Sequence, residues 1–284
     1  MGQRKVIGKA ASVKKLRVGA VSYLNTKPLI THLPELAPEI DLVLEVPSRL
    51  AEDLKAGKLD VGLIPSIEYF RAGNYSIIPG VSIASYGPVI SVKLFSKMPI
   101  EKIKTLSLDA GSRTSIALTD VLLHNLFDIH PETIPLPMDA RLDTIATDAV
   151  LLIGDRAMRV PYGAFPYTLD LGYEWSRWTG LPFVFAFWAV ADGVEVPPRV
   201  QQAFVRAKER GRPEIPEIAR REAERLGLDE IRCRYYLEHV IRHDFGAEEL
   251  EGLTRFAQLA AARGLAPEGA CCVFHGCEHF AESH

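Results

Sequence analysis

The stretch Val18-Gly19-Ala20-Val21-Ser22-Tyr23-Leu24-Asn25-Thr26-Lys27-Pro28-Leu29 decides the fold of this chain. Its first residues form an apolar run rich in valine and small side chains, which is typical of a buried strand. The polar residues that follow include good helix N-cap types, and proline is tolerated in the first turn of a helix. The stretch therefore predicts a strand, a polar loop and a helix. Free N–H groups at such a helix start suit a carboxylate, although a capped turn with nothing bound fits the same residues.

The same alternation continues along the first part of the chain. Residues 41–46 and 61–64 are predicted strands, and each is followed by a Pro-Ser pair that opens a helix. Residues 77–85 predict a further pair of strands. Short links between strands and helices are typical of a mostly parallel sheet.

The pattern then restarts, which indicates a second lobe. Strands are predicted at 105–108 and 149–153, with a helix at 116–127 between them. An apolar, β-prone run at 183–190 predicts a strand that returns to the first lobe, and the chain from about Pro198 onward is predicted helical. We therefore predict an α/β fold of two lobes with a cleft between them. The predicted division is a flexible lead-in (1–15), a first lobe (16–90 and 187–266), a second lobe (91–186) and a tail (267–284).

Composition limits the possible partners and the compartment. With 284 residues, 48% hydrophobic and 24% charged, the chain is long enough for two lobes of a globular protein. Its net charge of −3 argues against a nucleic acid or a membrane surface as a partner. The sequence has neither a signal-peptide-like apolar run nor one of transmembrane length. Its four cysteines do not form a disulfide framework, so we expect a cytoplasmic protein.

Four polar loops follow apolar strands, and the turn at 111–115 is the most suggestive of them. Gly111 allows an unusual backbone geometry there, and hydroxyls lie beside the free N–H groups of a helix start. Such a turn suits a carboxylate or a phosphate, while Arg113 is expected to be solvated. A capped helix without a ligand is the alternative. The hydroxyls of this turn belong to Ser112, Thr114 and Ser115, and the other three loops lie around Asn25, Ser66 and Ser91.

Cofactor and metal signatures are missing from the sequence. No dinucleotide-binding glycine pattern follows a strand, and neither a phosphate-binding loop nor an HExxH motif occurs. None of the eight histidines lies in the predicted cleft loops, and His124 is expected to be a surface or core residue of its helix. A Cys/His run at 271–279 could hold zinc, but as part of the tail it is expected to be fortuitous. We therefore predict no cofactor and no metal.

Asp155 is the acid best placed at the end of a predicted strand. As the N-cap of the turn that follows, it needs no chemical role, and this is the preferred interpretation. As a cleft residue it could instead hold a hydroxyl or act as an acid or base. In both cases we expect it to line the cleft.

Five short motifs then give a family resemblance. In chain order they are SYLNTKPL (22–29), VGLIPS (61–66), GPVISV (87–92), GD (154–155) and WTGLPFVF (178–185). With these motifs in this order, the chain resembles the MqnA family, the chorismate dehydratases of the futalosine route to menaquinone. The resemblance covers about residues 16 to 264, and it leaves out the lead-in and the Cys/His tail.

The resemblance implies a fold similar to periplasmic binding proteins of the second type, with the chain crossing between lobes near 89–92 and near 183–187. The implied reaction converts chorismate to 3-[(1-carboxyvinyl)oxy]benzoate and water, with chorismate as the small-molecule partner. For this family the enolpyruvyl carboxylate of the substrate has been proposed as the base. The base itself and the oligomeric state are not predicted from the sequence.

Two alternatives stay open at this point. The sister enzyme that makes 1,4-dihydroxy-6-naphthoate shares the lobed fold, but its family uses a histidine base that has no counterpart in the predicted cleft loops. A cytoplasmic small-carboxylate binding or sensor protein without turnover would use the same contacts.

Matching the motifs assigns the site residues. Asn25 and Ser91 are expected to lie closest to the reacting substrate as the catalytic pair, and the turn at 111–115 is expected to hold a carboxylate. The full set of predicted substrate-binding residues is Ser22, Tyr23, Leu24, Ser66, Tyr86, Gly111, Ser112, Thr114, Ser115 and Asp155.

Overall fold

The computed structural model describes residues 15–276, in which two sheets form the centres of two α/β lobes. The strands are β1 (Leu16–Val21), β2 (Ile40–Glu45), β3 (Val61–Pro65), β4 (Ser76–Ser85), β5 (Val92–Ser96), β6 (Thr105–Asp109), β7 (Glu132–Leu136), β8 (Ala149–Ile153), β9 (Tyr167–Asp170), β10 (Phe183–Val190) and β11 (Ile241–Arg242).

The helices pack around these sheets. They are α1 (Lys27–Ile30), α2 (Leu33–Leu36), α3 (Pro47–Lys55), α4 (Ser66–Ala72), α5 (Thr114–Phe127), α6 (Gly154–Met158), α7 (Leu171–Thr179), α8 (Pro198–Gly211), α9 (Ile215–Leu226), α10 (Glu230–Tyr235) and α11 (Ala247–Ala262). Short 3₁₀ turns cover Leu24–Thr26, Ile100–Lys102 and Leu142–Thr144, and a π-helical turn over Tyr236–Val240 follows α10.

Both sheets are mixed rather than mostly parallel. The first has the strand order β11-β4-β10-β3-β1-β2, and the second has the order β7-β6-β8-β5-β9. In the first, β1 is parallel to β2 and β3, whereas β10 is antiparallel to both β3 and β4. In the second, β6 is parallel to β7 and β8, whereas β5 is antiparallel to β8 and β9. The chain changes sheet twice, between β4 and β5 and between β9 and β10, and the first strand after each change runs antiparallel to both of its neighbours.

Burial explains why the strand predictions from apolar runs hold at the centre of the first sheet. Every residue of β3 and β10 is buried, because each strand has a neighbour on both sides and helices cover the sheet faces. The short helix α1, which follows the loop after β1, packs against α8. There the backbone of Gly211 packs so closely on the Pro28 carbonyl that any side chain would overlap it.

Other predictions were wrong in detail. Residues 77–85 form most of one ten-residue strand rather than a pair, because Gly80, at φ 80°, bends β4 without breaking it. The helix predicted after the first loop is two separate turns, α1 and α2. The chain after Pro198 is not all helical, since β11 pairs with β4. No helix of the described residues combines the length and the apolar character that crossing a bilayer requires.

Part of the predicted tail also packs on the first lobe. Phe274 forms a parallel bridge with Ile77, whose N–H donates to the Val273 carbonyl at 2.8 Å. The His275 ring lies 2.8 Å from the Ser76 hydroxyl through its Nδ1 atom. Cys277 and His279, which complete the Cys/His run, lie outside the described residues, as do residues 1–14 of the lead-in.

Candidate functional site between the lobes

A cavity opens between the two sheets where the polar loops meet. The empty volume is about 550 Å³ when the part that is open solvent is included, and side chains of both lobes line it. The apolar part of its wall includes Val89, Ile153 and Phe185. The structure brings six of the predicted site residues together in this lining: Tyr23, Asn25, Ser91, Ser112, Thr114 and Ser115.

A buried tyrosine joins the two residues predicted to lie nearest the substrate. The Tyr236 hydroxyl donates to Ser91 Oγ at 2.8 Å and accepts from Asn25 Nδ2 at 3.2 Å. Burial raises the pKa of Tyr236 well above its usual value, so the hydroxyl keeps its proton. Because that single proton is given to Ser91, the proton of Ser91 itself remains available for a group in the cavity. One amide proton of Asn25 remains available in the same way.

A buried histidine holds the loop that carries Asn25. His243 Nε2 donates to the Asn25 carbonyl at 2.7 Å, since a carbonyl oxygen can only accept. Burial lowers the pKa of His243 to about 4, so the ring is neutral at neutral pH. His243 therefore positions the backbone of Asn25 and does not line the cavity.

Ser91 follows a strained residue at the first crossing between lobes. Ile90 has φ 53°, a left-handed conformation that is uncommon for a β-branched residue and costs roughly 1–3 kcal/mol. The Asp170 carboxylate at the end of β9 holds it there, because it accepts the N–H groups of Val89 at 2.9 Å and Ile90 at 2.8 Å. Backbone strain of this kind clusters at functional sites, which supports Ser91 as a site residue.

The turn before α5 has both a capping and a bridging role. Ser112 Oγ accepts the Ser115 N–H at 3.2 Å and so caps α5. Thr114 Oγ1 accepts the Ile67 N–H of the other lobe at 3.2 Å. As an acceptor, Ser112 Oγ keeps its own proton for donation. The Thr114 proton faces Ser66 Oγ at 3.4 Å, because the Ser66 proton is given to the Val184 carbonyl, so Thr114 can donate to a ligand only by giving up this long contact. The Arg113 side chain is 41% exposed, in line with the expected solvation, and it pairs with Glu52 of the first lobe at 3.0 Å. It also lines the cavity.

The expectation for Gly111 was wrong, because its φ lies outside the left-handed region. Its N–H donates to Asp109 Oδ1 at 3.0 Å. A Cβ at Gly111 would lie 3.3 Å from Met138 Sδ and from Asp109 Oδ1. Close packing, rather than backbone conformation, is therefore the feature of this glycine.

The Gly-Asp motif contacts the loop that follows β1 in the first lobe. Gly154, at φ 57°, lies under the Tyr23 ring, and a Cβ there would come within 2.9 Å of Tyr23 Cδ2. Asp155 Oδ1 accepts the Leu24 N–H at 3.1 Å. Ile153 is the N-cap of α6, so the preferred interpretation of Asp155 as a cap was wrong. Burial raises the pKa of Asp155.

A comparison with known proteins gives the family. The sequence profile described as "Menaquinone biosynthesis" matches residues 16–262. The chain belongs to the menaquinone biosynthesis family. Within it, the chain is 31% identical over 264 residues to a chorismate dehydratase of Thermus thermophilus, covering 85% of this chain and 93% of the relative. A chorismate dehydratase of Campylobacter jejuni is 28% identical over 255 residues, covering 87% of this chain and 99% of the relative. The family expected from the five motifs is confirmed.

Solved structures confirm the fold of this family member. Protein AF1704 from Archaeoglobus fulgidus superposes with a TM-score of 0.69 at 20% identity, covering 90% of this chain and all of that one. The periplasmic aliphatic sulphonate binding protein SsuA of Escherichia coli superposes with a TM-score of 0.59 at 17% identity, covering 90% of each chain. The predicted two-lobed, periplasmic-binding-protein-like fold is thus the observed one.

The structure places the other predicted site residues of this family member outside the cavity lining. Leu24 is fully buried, Tyr86 is 58% exposed, and the Ser66 hydroxyl donates to the Val184 carbonyl at 2.8 Å. Ser22 gives its N–H to the Glu45 carbonyl at 3.2 Å. Those outside the lining are Ser22, Leu24, Ser66, Tyr86, Gly111 and Asp155.

The chemistry of the wall is simple. Among the described residues that line the cavity there is no carboxylate, histidine or cysteine, and the cation is Arg113. Burial raises the pKa of Tyr23 above its usual value, so its phenol stays neutral. Such a wall suits an anionic, largely apolar ligand held by hydroxyl, amide and guanidinium donors.

Proposed function

We propose that this member of the menaquinone biosynthesis family is a chorismate dehydratase, a hydro-lyase of the cytoplasm that forms 3-[(1-carboxyvinyl)oxy]benzoate and water. Two relatives of nearly the same length bear that name. The observation that carries the proposal is the cavity wall, which offers hydrogen-bond donors and one cation but no carboxylate, histidine or cysteine to act as a general base. Chorismate has two carboxylates to bind, and the reaction needs little basicity from the protein.

The reaction suits a site that mainly holds geometry. A ring C–H bond breaks and its electron pair enters the ring, while the C–O bond of the hydroxyl breaks with its electrons on oxygen. The proton and the hydroxide make up the water released, and the product ring is aromatic. Because aromaticity supplies much of the driving force, positioning supplies most of what the protein must add. We assign the proton transfer to the enolpyruvyl carboxylate of the substrate.

The two walls of the cavity then have separate roles. Asn25 and Ser91 donate to the reacting part of the ring, with Ser91 placed for the departing hydroxyl, where charge develops. The other wall, from Ser112 to Ser115 with the Arg113 guanidinium, binds a carboxylate through charge-assisted hydrogen bonds. The pairing of Arg113 with Glu52 leaves further N–H groups of the guanidinium for this contact.

The deciding experiment incubates the purified protein with chorismate and follows the aromatic product by chromatography and ultraviolet absorbance. We expect one product molecule per chorismate consumed over many turnovers. Binding of chorismate that returns it unchanged would establish a binding or sensor protein instead. No binding and no product would point to a different substrate, as for the naphthoate-forming sister enzyme.

The proposal also predicts that turnover needs neither a metal nor an organic cofactor. Protein dialysed against a chelator is expected to retain its full rate, with a mock-dialysed sample as the control. Complete loss of turnover that returns on adding a metal ion would overturn this part of the proposal.

A further inference from the structure

Three potential metal ligands meet at the C-terminal end of α5, away from the cavity. His124 lies in the last turn of the helix, Asp128 follows its end, and His130 is two residues further on. Their ligand atoms all lie within 4.8 Å of one another, and among residues 15–276 no other trio of histidine, cysteine, aspartate or glutamate is found at this spacing. Asp128 and His130 are exposed, so an ion in bulk solvent can reach the trio.

The backbone brings the trio together before any ion binds. Asp128 adopts φ 52° and ψ 43°, a left-handed conformation that aspartate tolerates better than most residues. Its N–H donates to the His124 carbonyl at 3.2 Å, and the Ile129 N–H donates to the Leu123 carbonyl at 3.2 Å. These bonds end the helix and reverse the chain, so His130 returns beside His124. A helix C-terminus also carries partial negative charge, which favours a cation.

The separation of the two imidazoles matches a tetrahedral ion. His124 Nδ1 and His130 Nε2 lie 3.3 Å apart, with ring centroids 5.0 Å apart and planes tilted by 35°. Two nitrogens bound to a tetrahedral zinc ion at about 2.0–2.1 Å are about 3.3–3.4 Å from each other. A carboxylate oxygen of Asp128 lies within 4.8 Å of both nitrogens, so three ligand atoms are within reach of one ion.

We infer that His124, Asp128 and His130 form a binding site for a divalent transition-metal ion, with zinc as the expected occupant. Two imidazoles and one carboxylate suit zinc, cobalt, nickel or copper rather than magnesium or calcium, and water completes the shell. The ion ties the end of α5 to the start of β7, and α5 separates it from the cavity by about 20 Å. Its role is structural, so the inference stands independently of the proposed reaction.

Calorimetric titration of the full chain with zinc, and separately with magnesium, tests the inference. The cysteine-rich end of the chain is a competing zinc ligand, so the titration uses a C271S/C277S background. We expect one zinc ion per chain and no magnesium binding. His124→Ala, His130→Ala and Asp128→Asn should each weaken zinc binding by about tenfold or more, since losing even an outer-shell partner costs about 10–100-fold. His239→Ala, which removes an exposed histidine elsewhere, is the matched control and should bind as the parent does.

Cobalt gives an independent readout. Cobalt bound by nitrogen and oxygen should show the visible bands of a four-coordinate ion without a sulfur charge-transfer band. Zinc binding that survives loss of either histidine, or no binding at all, overturns the inference. Chorismate turnover should be the same with and without zinc, so a failure of the metal site and a failure of the proposed reaction give different results.

Discussion

Asn25 serves two partners at once, its carbonyl on His243 and its amide on Tyr236. We expect Asn25→Ala to lower turnover by about 10²-fold or more, because the amide that orients a reacting group is lost. The melting temperature should change little, since the carbonyl contact to His243 does not depend on the side chain. Steady-state kinetics and thermal melting on the same sample check both parts. Activity equal to the parent would show that Asn25 is not part of the site.

Tyr236 is expected to be a positioning residue that acts through Ser91 and Asn25. Tyr236→Phe removes the hydroxyl, so Ser91 loses its donor, and we expect kcat to fall about 10- to 100-fold with a smaller change in KM. Tyr69→Phe is a matched control, because the Tyr69 hydroxyl is also buried and bonded, at 2.8 Å to the Val273 N–H, but outside the cavity.

A double-mutant cycle separates positioning from a general loss of structure. If Tyr236 acts through Ser91, then Tyr236→Phe should cost much less in a Ser91→Ala background than in the parent. If the factors by which the two substitutions lower kcat simply multiply in the double variant, the tyrosine acts on its own or only on stability.

Residues of the site differ in how far the sequence could predict them. Asn25 and Ser91 follow apolar strands, so their place at a strand end could be predicted from local pattern alone. Tyr236 lies 211 positions from Asn25 and 145 from Ser91, and His243 lies 218 positions from Asn25. Both belong to a segment whose local sequence is that of an ordinary helical region with balanced charges. Only the contacts across the first lobe reveal them, and no local signal carries that information.

Among the elements, the start of α5 is where capping and binding compete for the same side chains. Ser112→Ala with Thr114→Ala should lower the melting temperature, because a helix cap and a contact with the Ile67 N–H are both lost. If the two hydroxyls also donate to a carboxylate, the dissociation constant for chorismate should rise as well, since such a bond contributes roughly 1.5–3 kcal/mol. Binding and melting measured on the same variant decide the question. An unchanged dissociation constant with a lowered melting temperature would leave this turn a purely structural role.

A glycine variant in the same turn gives a second, sharper test. Gly111→Val should weaken binding more than the double hydroxyl variant, because its side chain pushes on Asp109 and Met138 and shifts the backbone N–H groups. Gly57→Val is a useful comparison, since Gly57 has φ 66° and open space around it. A valine there strains the backbone but pushes on no neighbouring side chain.

Most elements could be predicted, while their pairing could not. The strands at 61–64 and 183–190 could be predicted because both of their faces are buried. Such strands are continuous apolar runs and do not depend on an alternation of polar and apolar residues to be recognised. The pair of strands predicted at 77–85 is part of one strand, since a glycine such as Gly80 that bends a strand and one that ends it look alike in sequence. The contact of Phe274 with Ile77 joins residues 197 positions apart, and nothing in the run around Cys271 indicates it.

For the molecule as a whole, His243 makes stability depend on pH. Its pKa of about 4 in the folded protein lies below the ordinary value of 6.5, so the unfolded chain binds a proton first as the pH falls. The contribution of His243 to the free energy of unfolding is therefore fully present above about pH 6.5. It is lost as the pH falls from there to about pH 4, by roughly 3 kcal/mol in total. Asp109 and Asp155, whose pKa values are raised by burial, act in the opposite direction over the acid range.

Urea unfolding of the parent and of His243→Gln between pH 7 and pH 4.5 measures how much of the pH dependence of stability is due to His243. Glutamine keeps an N–H donor for the Asn25 carbonyl and does not titrate, so the variant should lose less stability than the parent as the pH falls. His239→Gln, at an exposed position, should follow the parent. Parallel curves for the parent and His243→Gln would mean that the buried ring does not set this dependence.

The position of β10 has a consequence for how the protein is made. This strand fills the gap between β3 and β4, yet the chain of the second sheet, from β5 to β9, is synthesised before it. As the polypeptide leaves the ribosome, the second sheet has all its strands once residue 170 has emerged. The edges of β3 and β4 stay unpaired until residue 190 follows. Domains of nascent chains usually fold from the N-terminus onward. Here we expect the second sheet, from the middle of the chain, to fold before the first, while the facing edges of β3 and β4 stay open to wrong pairing until β10 fills the gap.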